Sequence, residues 1–433
     1  MITYQFPPDN GSIQRVLNFI KYLPTNGWTP IVLTHRTEKN KCEVIDREFL
    51  SRGIDVQRAG MALNFSKSIV KKINEAEGNY AQETRNNLCK ISLLRKTKKL
   101  LKFISNLVVF PDPFVWWIPF ALLRAVKIIR KEEVGTVYIV TPPHSSSIIG
   151  LCLSKIFTVK VVIDFRDPWA NDIDIIMPTG FHRCSHRITE RLVARSSDAI
   201  VTTTNFHSNY FREKVLHNSA SKVHTITNGF DLLNFKPNCL DQNDLFTITY
   251  AGNFDLTRTA TSFLKGVSNV NSKYPEIFRK HSIKFFGNFN INIEEEINAL
   301  GLSEIVKQYG LIKYENVIDE ISNASVLLLI VHNDLNTPKF CIPAKLFEYM
   351  ATGRPILAVA PRGEATEIID RFNLGESFDH ADIIGIEQSI IKSYELFETG
   401  NLQTKPRDPE ILKKYDRKEL TKDLAQIFNS LNN

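Results

Sequence analysis

The sequence predicts an α/β protein made of two doubly wound domains, each built on a parallel sheet. Runs rich in β-forming residues alternate with segments of helical length. The chain has 433 residues, more than one hydrophobic core usually serves. A polar stretch, KPNCLDQND, separates two sets of these runs and is typical of a linker. We therefore expect a first domain over 1–232, a linker over 233–245, a second domain over 246–410 and a closing amphipathic helix over 411–433.

The first domain opens with a predicted strand over 1–6, a turn and a helix that begins near Ile13. The turn, PPDNGS, contains only one glycine, Gly11. It does not match the GxGxxG fingerprint, so the sequence does not indicate a nicotinamide site. Further strands of this domain are predicted over 29–34, 136–141, 160–165 and 198–204.

Two polar loops follow the predicted strands of the first domain, PPHSSS over 142–147 and RDPWAND over 166–172. Ligands of doubly wound sheets bind at the carboxyl ends of the strands. His144, Arg166, Asp167 and Trp169 are therefore candidates for a binding cleft. The alternative for each loop is ordinary turn chemistry, because Pro, Asp, Asn and Ser are common in turns.

The net charge of +7 is concentrated in one segment. Residues 61–130 contain thirteen Lys or Arg against four acids, and apolar and basic side chains alternate over 91–108 at helical spacing. Two tryptophans and three phenylalanines follow. The segment 91–130 is thus predicted to be basic and amphipathic, and an anionic membrane surface is its candidate partner. A core-packed helix with a solvated basic face is the alternative. Nucleic acid is disfavoured, because the basic residues line no recognisable binding module.

The six cysteines are scattered without a CxxC pair, which favours reduced thiols and a cytoplasmic protein. We expect no signal peptide and no spanning helix, because no apolar run approaches the ~20 residues that a span requires. The motif HRCSHR suggests a metal site, but on a helix Cys184 points away from the face shared by His182 and His186. We therefore predict no metal ligands.

In the second domain, strands are predicted over 246–254, 282–289 and 324–331. Pro343 can occupy a first helical position and Gly353 stops a helix, which predicts a helix over 344–352 and then a strand over 356–360. On this helix Lys345 and Glu348 share a face near the N-terminus. A cation there suits a diphosphate, and a carboxylate can accept hydrogen bonds from ribose hydroxyls. The alternative is an ordinary surface charge pair.

Several ordered blocks together resemble the bacterial family 4-type glycosyltransferases of the GT-B fold. These blocks are YQFPPDNGSIQRVLNFIKYLPTNGW, TPPHSSSIIG, DFRDPW, TNGFD, TYAGNF and KLFEYMATGRPILAV. The resemblance implies two Rossmann-like doubly wound domains facing a cleft. The C-terminal domain would hold the nucleotide-sugar donor and the N-terminal domain the acceptor. It also implies retention of anomeric configuration and catalysis without a metal ion or other cofactor.

The resemblance further assigns residues to the donor. Glu348 matches the second glutamate of the family's paired-glutamate motif, and Phe340 stands where the first would be. Arg258 and Lys265, which lie just after a predicted strand and seven residues apart, fall where the family binds diphosphate. Lys345, Gly252 and Glu367 complete the predicted donor-binding set.

The expected function is transfer of a sugar from a nucleotide diphosphate sugar to a saccharide or lipid-linked saccharide, in the biosynthesis of cell-surface polysaccharide. Asp167, Arg166 and His144 are the predicted catalytic residues, with Trp169 and Gly11 in acceptor or loop roles. Two alternatives stay open, a nucleotide-sugar 2-epimerase of the same fold and a non-catalytic partner subunit that binds sugar nucleotides. The expected location is the cytoplasm, with the inner face of the cytoplasmic membrane as a candidate docking surface.

Overall fold

The structure is a computed structural model that describes residues 1–8, 13–37, 39–60, 110–170, 179–235, 245–255, 258–279, 281–289, 293–333, 342–402 and 408–432. The chain divides into two compact units. The first comprises Met1–Ile226 and Thr421–Asn433, and the second comprises Thr227–Leu420.

The described helices and strands alternate along most of the chain. The α-helices are α1 Gln14–Tyr22, α2 Lys39–Ser51, α3 Ile118–Glu132, α4 Ser145–Ile156, α5 Gly180–Ser196, α6 Asn205–Tyr210, α7 Thr261–Lys273, α8 Ile293–Ala299, α9 Tyr314–Ser322, α10 Ala344–Thr352, α11 Glu364–Arg371, α12 Ile383–Glu398, α13 Pro409–Tyr415 and α14 Arg417–Asn432. The strands are β1 Ile31–His35, β2 Asp55–Ala59, β3 Thr136–Thr141, β4 Lys160–Phe165, β5 Ala199–Thr202, β6 Val223–Thr225, β7 Ile248–Ala251, β8 Ile283–Phe286, β9 Val306–Gly310, β10 Val326–Ile330, β11 Ile356–Val359 and β12 Gly375–Phe378.

The sheet of the first unit is parallel throughout its described pairs. β1 pairs with β2, and β3, β4, β5 and β6 pair in that order. The first residues of the chain lie between the two groups, because Ile2 bridges in parallel to Leu33 of β1 and to Ile139 of β3. The strand predicted over 1–6 is therefore a shorter extended segment at the centre of the sheet.

The sheet of the second unit has the order β12, β11, β10, β7, β8, β9, and all its pairs are parallel. The order reverses between β7 and β10, which pair with each other although β8 and β9 lie between them in the sequence. Both faces of the sheet are covered. Leu328 and Ile330 of β10 pack in one hydrophobic cluster, and the alternate residues Leu327 and Leu329 pack in another.

These sheets confirm the predicted doubly wound α/β class. Strands β3 and β4 and helix α10 lie where the sequence predicts them, because hydrophobic runs and Pro or Gly boundaries are local signals. Pro343 precedes the helix as its N-cap residue instead of forming its first turn, and Gly353 ends it in a left-handed conformation with φ 72°. In each unit, ligands are expected where the strand order reverses, at the carboxyl ends of the strands.

Candidate functional site

The strongest site candidate surrounds the start of helix α10 in the second unit. The inner face of the helix is fixed by buried apolar side chains, including Leu346, Phe347 and Met350. This packing leaves Lys345 and Glu348 on the partly buried face, close to residues that follow β7. The pair predicted from helical spacing thus lies at the carboxyl edge of the second sheet.

The Lys345 ammonium lies against the end of strand β7. Its Nζ donates a hydrogen bond of 2.9 Å to Tyr250 Oη and lies 4.0 Å from the centroid of the same ring. A Cβ atom built on Gly252 would be 1.9 Å from Nζ, so the absence of a side chain at Gly252 makes room for the lysine. Burial lowers the pKa of Lys345 well below its ordinary value. Arg258 acts in the same direction, and Glu348 opposes it.

The Glu348 carboxylate is held by helix α9, whereas Lys345 contacts the end of β7. Tyr314, the first residue of α9, donates a hydrogen bond of 2.9 Å from its hydroxyl to Glu348 Oε1. Burial raises the pKa of Glu348, while the Tyr314 hydroxyl, Arg417 and Lys345 oppose that rise. The carboxylate is therefore held at Oε1 and retains a second oxygen, Oε2, that can accept another hydrogen bond.

Arg258 joins the site through the loop after β7. Its backbone N–H donates to Asp255 Oδ1 at 2.8 Å, and its guanidinium Nη2 is hydrogen-bonded to His332 Nε2. His332 follows β10 and also lies 3.9 Å from Asp255 Oδ1 through Nδ1. Within the part of the chain that the structure describes, Arg258 Nε is buried without a hydrogen-bond partner. Two cations, Arg258 and Lys345, thus meet where the strand order reverses.

The other predicted donor residues are less enclosed. Lys265 is exposed on α7, whose neighbouring residues Leu264 and Val267 are buried. Glu367 is exposed on α11. Gly11 and Phe340 lie outside the described residues.

In the first unit, the predicted residues of the loops after β3 and β4 lie together but mostly inside the protein. His144 is buried at the start of α4 and stacks on Trp169, with ring centroids 5.1 Å apart. Burial lowers the pKa of His144 to about 3, aided by His207 and His186 and opposed by the Pro168 carbonyl. The imidazole is therefore neutral at physiological pH.

Trp169 is fully buried and donates a hydrogen bond of 2.9 Å to His186 Nδ1. It packs in the hydrophobic core of the first unit and is not an exposed loop residue. Arg166 is also buried, and its Nε donates to the Thr141 carbonyl at 3.1 Å. Asp167 is partly exposed, so its side chain is the more accessible of the predicted catalytic groups.

Sequence reasoning missed a carboxylate at this edge of the first sheet. Asp112 Oδ2 accepts a hydrogen bond of 2.7 Å from the backbone N–H of Ser145, the first residue of α4. Burial raises the pKa of Asp112, and the hydrogen bonds at Ser145 oppose that rise. The loop composition around Asp112 gave no signal, because the contact joins residues 33 positions apart.

The HRCSHR motif forms part of α5. His182 and His186 are buried on the inner face of the helix, whereas Cys184 is exposed. Among the described residues, no group of three or more His, Cys, Asp or Glu side chains could hold a metal ion.

No family model matches the chain, and no curated protein matches it. Solved structures match it over its whole length. Sucrose-phosphate synthase from Thermosynechococcus elongatus is 14% identical, with a TM-score of 0.70 over 100% of this chain and 98% of that chain. A glycosyltransferase from Rickettsia africae ESF-5 is 12% identical, with a TM-score of 0.66 over 100% of this chain and 97% of that chain. TarM is 11% identical, with a TM-score of 0.62 over 99% of this chain and 98% of that chain.

The chain has the GT-B fold. The predicted fold class is thereby confirmed, and at these identities the likeness concerns the fold alone. A GT-B chain carries two Rossmann-like domains, which agrees with the two parallel doubly wound sheets described above. In the described part of the chain, no helix is both long enough and apolar enough to cross a membrane.

Proposed function

We propose that the protein is a glycosyltransferase of the family 4 type, and that its second unit binds a nucleotide diphosphate sugar. The observation that carries the proposal is the cluster of Lys345, Arg258 and Glu348 where the strand order reverses. The two cations suit the diphosphate, and Glu348 Oε2 suits a ribose hydroxyl. A structure of S. aureus TarM contains UDP and a GlcNAc-glycerol, which supports a nucleotide-sugar donor and a saccharide acceptor here.

In the proposed reaction, an acceptor hydroxyl oxygen bonds to the anomeric carbon of the donor as the bond from that carbon to the diphosphate oxygen breaks, and the hydroxyl proton passes to the departing diphosphate. The diphosphate gains negative charge in this step. Lys345 and Arg258 stabilise it, and preorganised cations contribute most where charge develops. Because these side chains supply the positive charge, we propose that the transfer needs no metal ion or other cofactor.

The first unit would hold the acceptor. Asp167 is the residue we assign to contact the acceptor or the transferred sugar, with Arg166 and His144 behind it in the loops after β4 and β3. We propose a saccharide or lipid-linked saccharide as the acceptor, in the biosynthesis of cell-surface polysaccharide, with retention of anomeric configuration. We propose that the protein works in the cytoplasm, at the inner face of the cytoplasmic membrane.

The test is a thermal-shift screen of nucleotide diphosphate sugars followed by turnover assays with the purified chain. A ligand bound only by the native state raises the unfolding temperature. Lys345→Met should reduce the shift, and Lys307→Met, which removes an exposed lysine of β9, should keep it. If no nucleotide sugar shifts the wild-type protein, or if Lys345→Met retains the full shift, the donor site is wrong.

The same assays separate the alternatives. Consumption of donor without any acceptor would indicate the 2-epimerase. Sugar transfer or donor hydrolysis by the purified chain alone would exclude a non-catalytic partner subunit.

A further inference from the structure

Helix α5 of the first unit presents an apolar stripe to the outside. Phe181, Ile188 and Leu192 are 59%, 54% and 52% exposed, and Cys184 is exposed between them. Their spacing of three or four residues places them along one side of the helix. Large apolar side chains that are scattered singly need no explanation, but a row along about three turns of one helix does.

A row of arginines runs beside this apolar stripe. Arg183, Arg187, Arg191 and Arg195 follow one another at intervals of four and are all exposed. None of the four forms an ion pair with a described residue. The only acid of the helix, Glu190, is buried and accepts a hydrogen bond of 2.8 Å from Tyr210, and it also interacts electrostatically with Arg187 and Arg191. The outer face of α5 is therefore apolar and cationic, while the one carboxylate of the helix lies inside the protein.

The rotation of α5 is fixed by its inner face. His186 accepts the hydrogen bond from buried Trp169, and Val193 and Ala194 pack in the core of the first unit. Because these contacts hold the opposite side of the helix inside the protein, the apolar and arginine rows face outward in the folded state. Both rows are thus present before any partner binds.

We infer that the outer face of α5 docks on an anionic lipid surface, with the arginines at the headgroups and Phe181, Ile188 and Leu192 at the boundary of the acyl chains. An amphipathic helix lying in a membrane interface combines these two features. Charge complementarity selects anionic lipids, since each basic side chain near such a surface strengthens binding. The site lies on a different helix from α3, the described helix of the 91–130 segment, and it shares no residue with the nucleotide cluster of the second unit.

The experiment is sedimentation of the full chain with vesicles of phosphatidylcholine, with and without phosphatidylglycerol, in the absence of nucleotide. Wild-type protein should bind the anionic vesicles and should be released as the salt concentration rises. Arg187→Gln with Arg191→Gln should weaken binding by about fivefold per arginine, or roughly 25-fold together. Ile188→Ser with Leu192→Ser should also weaken it, because the apolar contact is lost. Circular dichroism and thermal unfolding would check that each variant is folded.

A matched control pair lies on α3, where Arg124 and Lys127 are exposed and belong to the basic segment predicted from sequence. Arg124→Gln with Lys127→Gln removes the same number of charges and should weaken binding less than the α5 pair. Equal or greater loss with the α3 pair would overturn the assignment to α5. The assignment would also be overturned if Ile188→Ser with Leu192→Ser bound the anionic vesicles as tightly as the wild type and the wild type bound polyglutamate equally tightly. An acidic partner would then explain the arginines. Because nucleotide is absent, these results do not depend on whether the donor site is correct.

Discussion

Replacing Glu348 by glutamine tests the ribose assignment and the burial of the carboxylate in one variant. In the wild-type protein, Tyr314 already occupies Oε1 at 2.9 Å, which leaves Oε2 for a ribose hydroxyl. The glutamine side chain has one oxygen. If that oxygen keeps the hydrogen bond from Tyr314, an amide N–H donor stands where Oε2 was. One charge-assisted hydrogen bond to the ribose is then lost, at a cost of about 1.5–3 kcal/mol. The dissociation constant should rise by about 10- to 150-fold.

The same change should not destabilise the free protein at neutral pH. Burial raises the pKa of Glu348 in the folded state. The stability associated with this group is therefore fully present below its unfolded pKa of about 4.3, and it declines as the pH rises through the folded pKa. Glutamine cannot ionise, so Glu348→Gln should gain stability relative to the wild type as the pH rises through that window.

Calorimetric titration with the best nucleotide from the thermal-shift screen measures the affinity, and urea unfolding between pH 4 and pH 8 measures the stability. Glu376→Gln is a control of opposite sign. Burial would raise the pKa of Glu376, but the hydrogen bonds from Lys392 and Ser389 lower it, so this variant should lose stability relative to the wild type as the pH rises. Wild-type nucleotide affinity in Glu348→Gln would refute the ribose role. A growing loss of stability with rising pH in that variant would refute the burial argument.

Three further predictions follow from the same contacts. The pKa of Lys345 is lowered, so the nucleotide affinity of the wild type should fall as the pH rises, at pH values below the usual lysine pKa of 10.5. Lys345→Met should remove this pH dependence, which calorimetric titration at several pH values would measure. An unchanged pH profile in the variant would contradict the prediction. Gly252→Ala should weaken nucleotide binding, because the added Cβ displaces the Lys345 ammonium from Tyr250. It should also lower the stability in urea unfolding, because the backbone at Gly252 has a φ of +159°, which residues with a side chain rarely adopt. Unaltered nucleotide affinity would contradict the prediction. In the first unit, Arg15 and Asp164 form an ion pair of 2.8 Å, and their side chains are 2% and 0% exposed. Arg15→Met should therefore lower the free energy of unfolding in urea by about 3–5 kcal/mol, and adding Asp164→Leu should recover part of that loss. A loss below about 1 kcal/mol for Arg15→Met would contradict the prediction.

Much of the fold was predictable because its signals are local. The apolar runs that form β3, β4 and β10 are continuous in sequence, and a buried parallel strand requires such a run. Helix α10 is bounded by Pro343 and Gly353, so its limits were predicted correctly. Its spacing also places Lys345 and Glu348 on one face, which any helix over these residues would do.

The neighbours of that face were not predictable, because they come from distant parts of the chain. Tyr250 and Tyr314 lie 95 and 34 residues from the side chains they contact, and nothing in their local sequence marks them as site residues. The resemblance assigned Lys265 to the diphosphate, and this assignment stays a prediction, because the structure shows only that the side chain is exposed on α7.

In the first unit, local composition misidentified which side chains are accessible. The density of charged and aromatic residues in RDPWAND predicted an acceptor loop, but Trp169 is fully buried and His144 stacks on it. The sequence by itself determined the α/β class, the main strands and the charge pair of α10, since these depend on periodicity and on residues a few positions apart. Only the tertiary structure decided which polar groups are buried, which are exposed and which meet at the strand ends, because burial depends on packing between segments that are far apart in the chain.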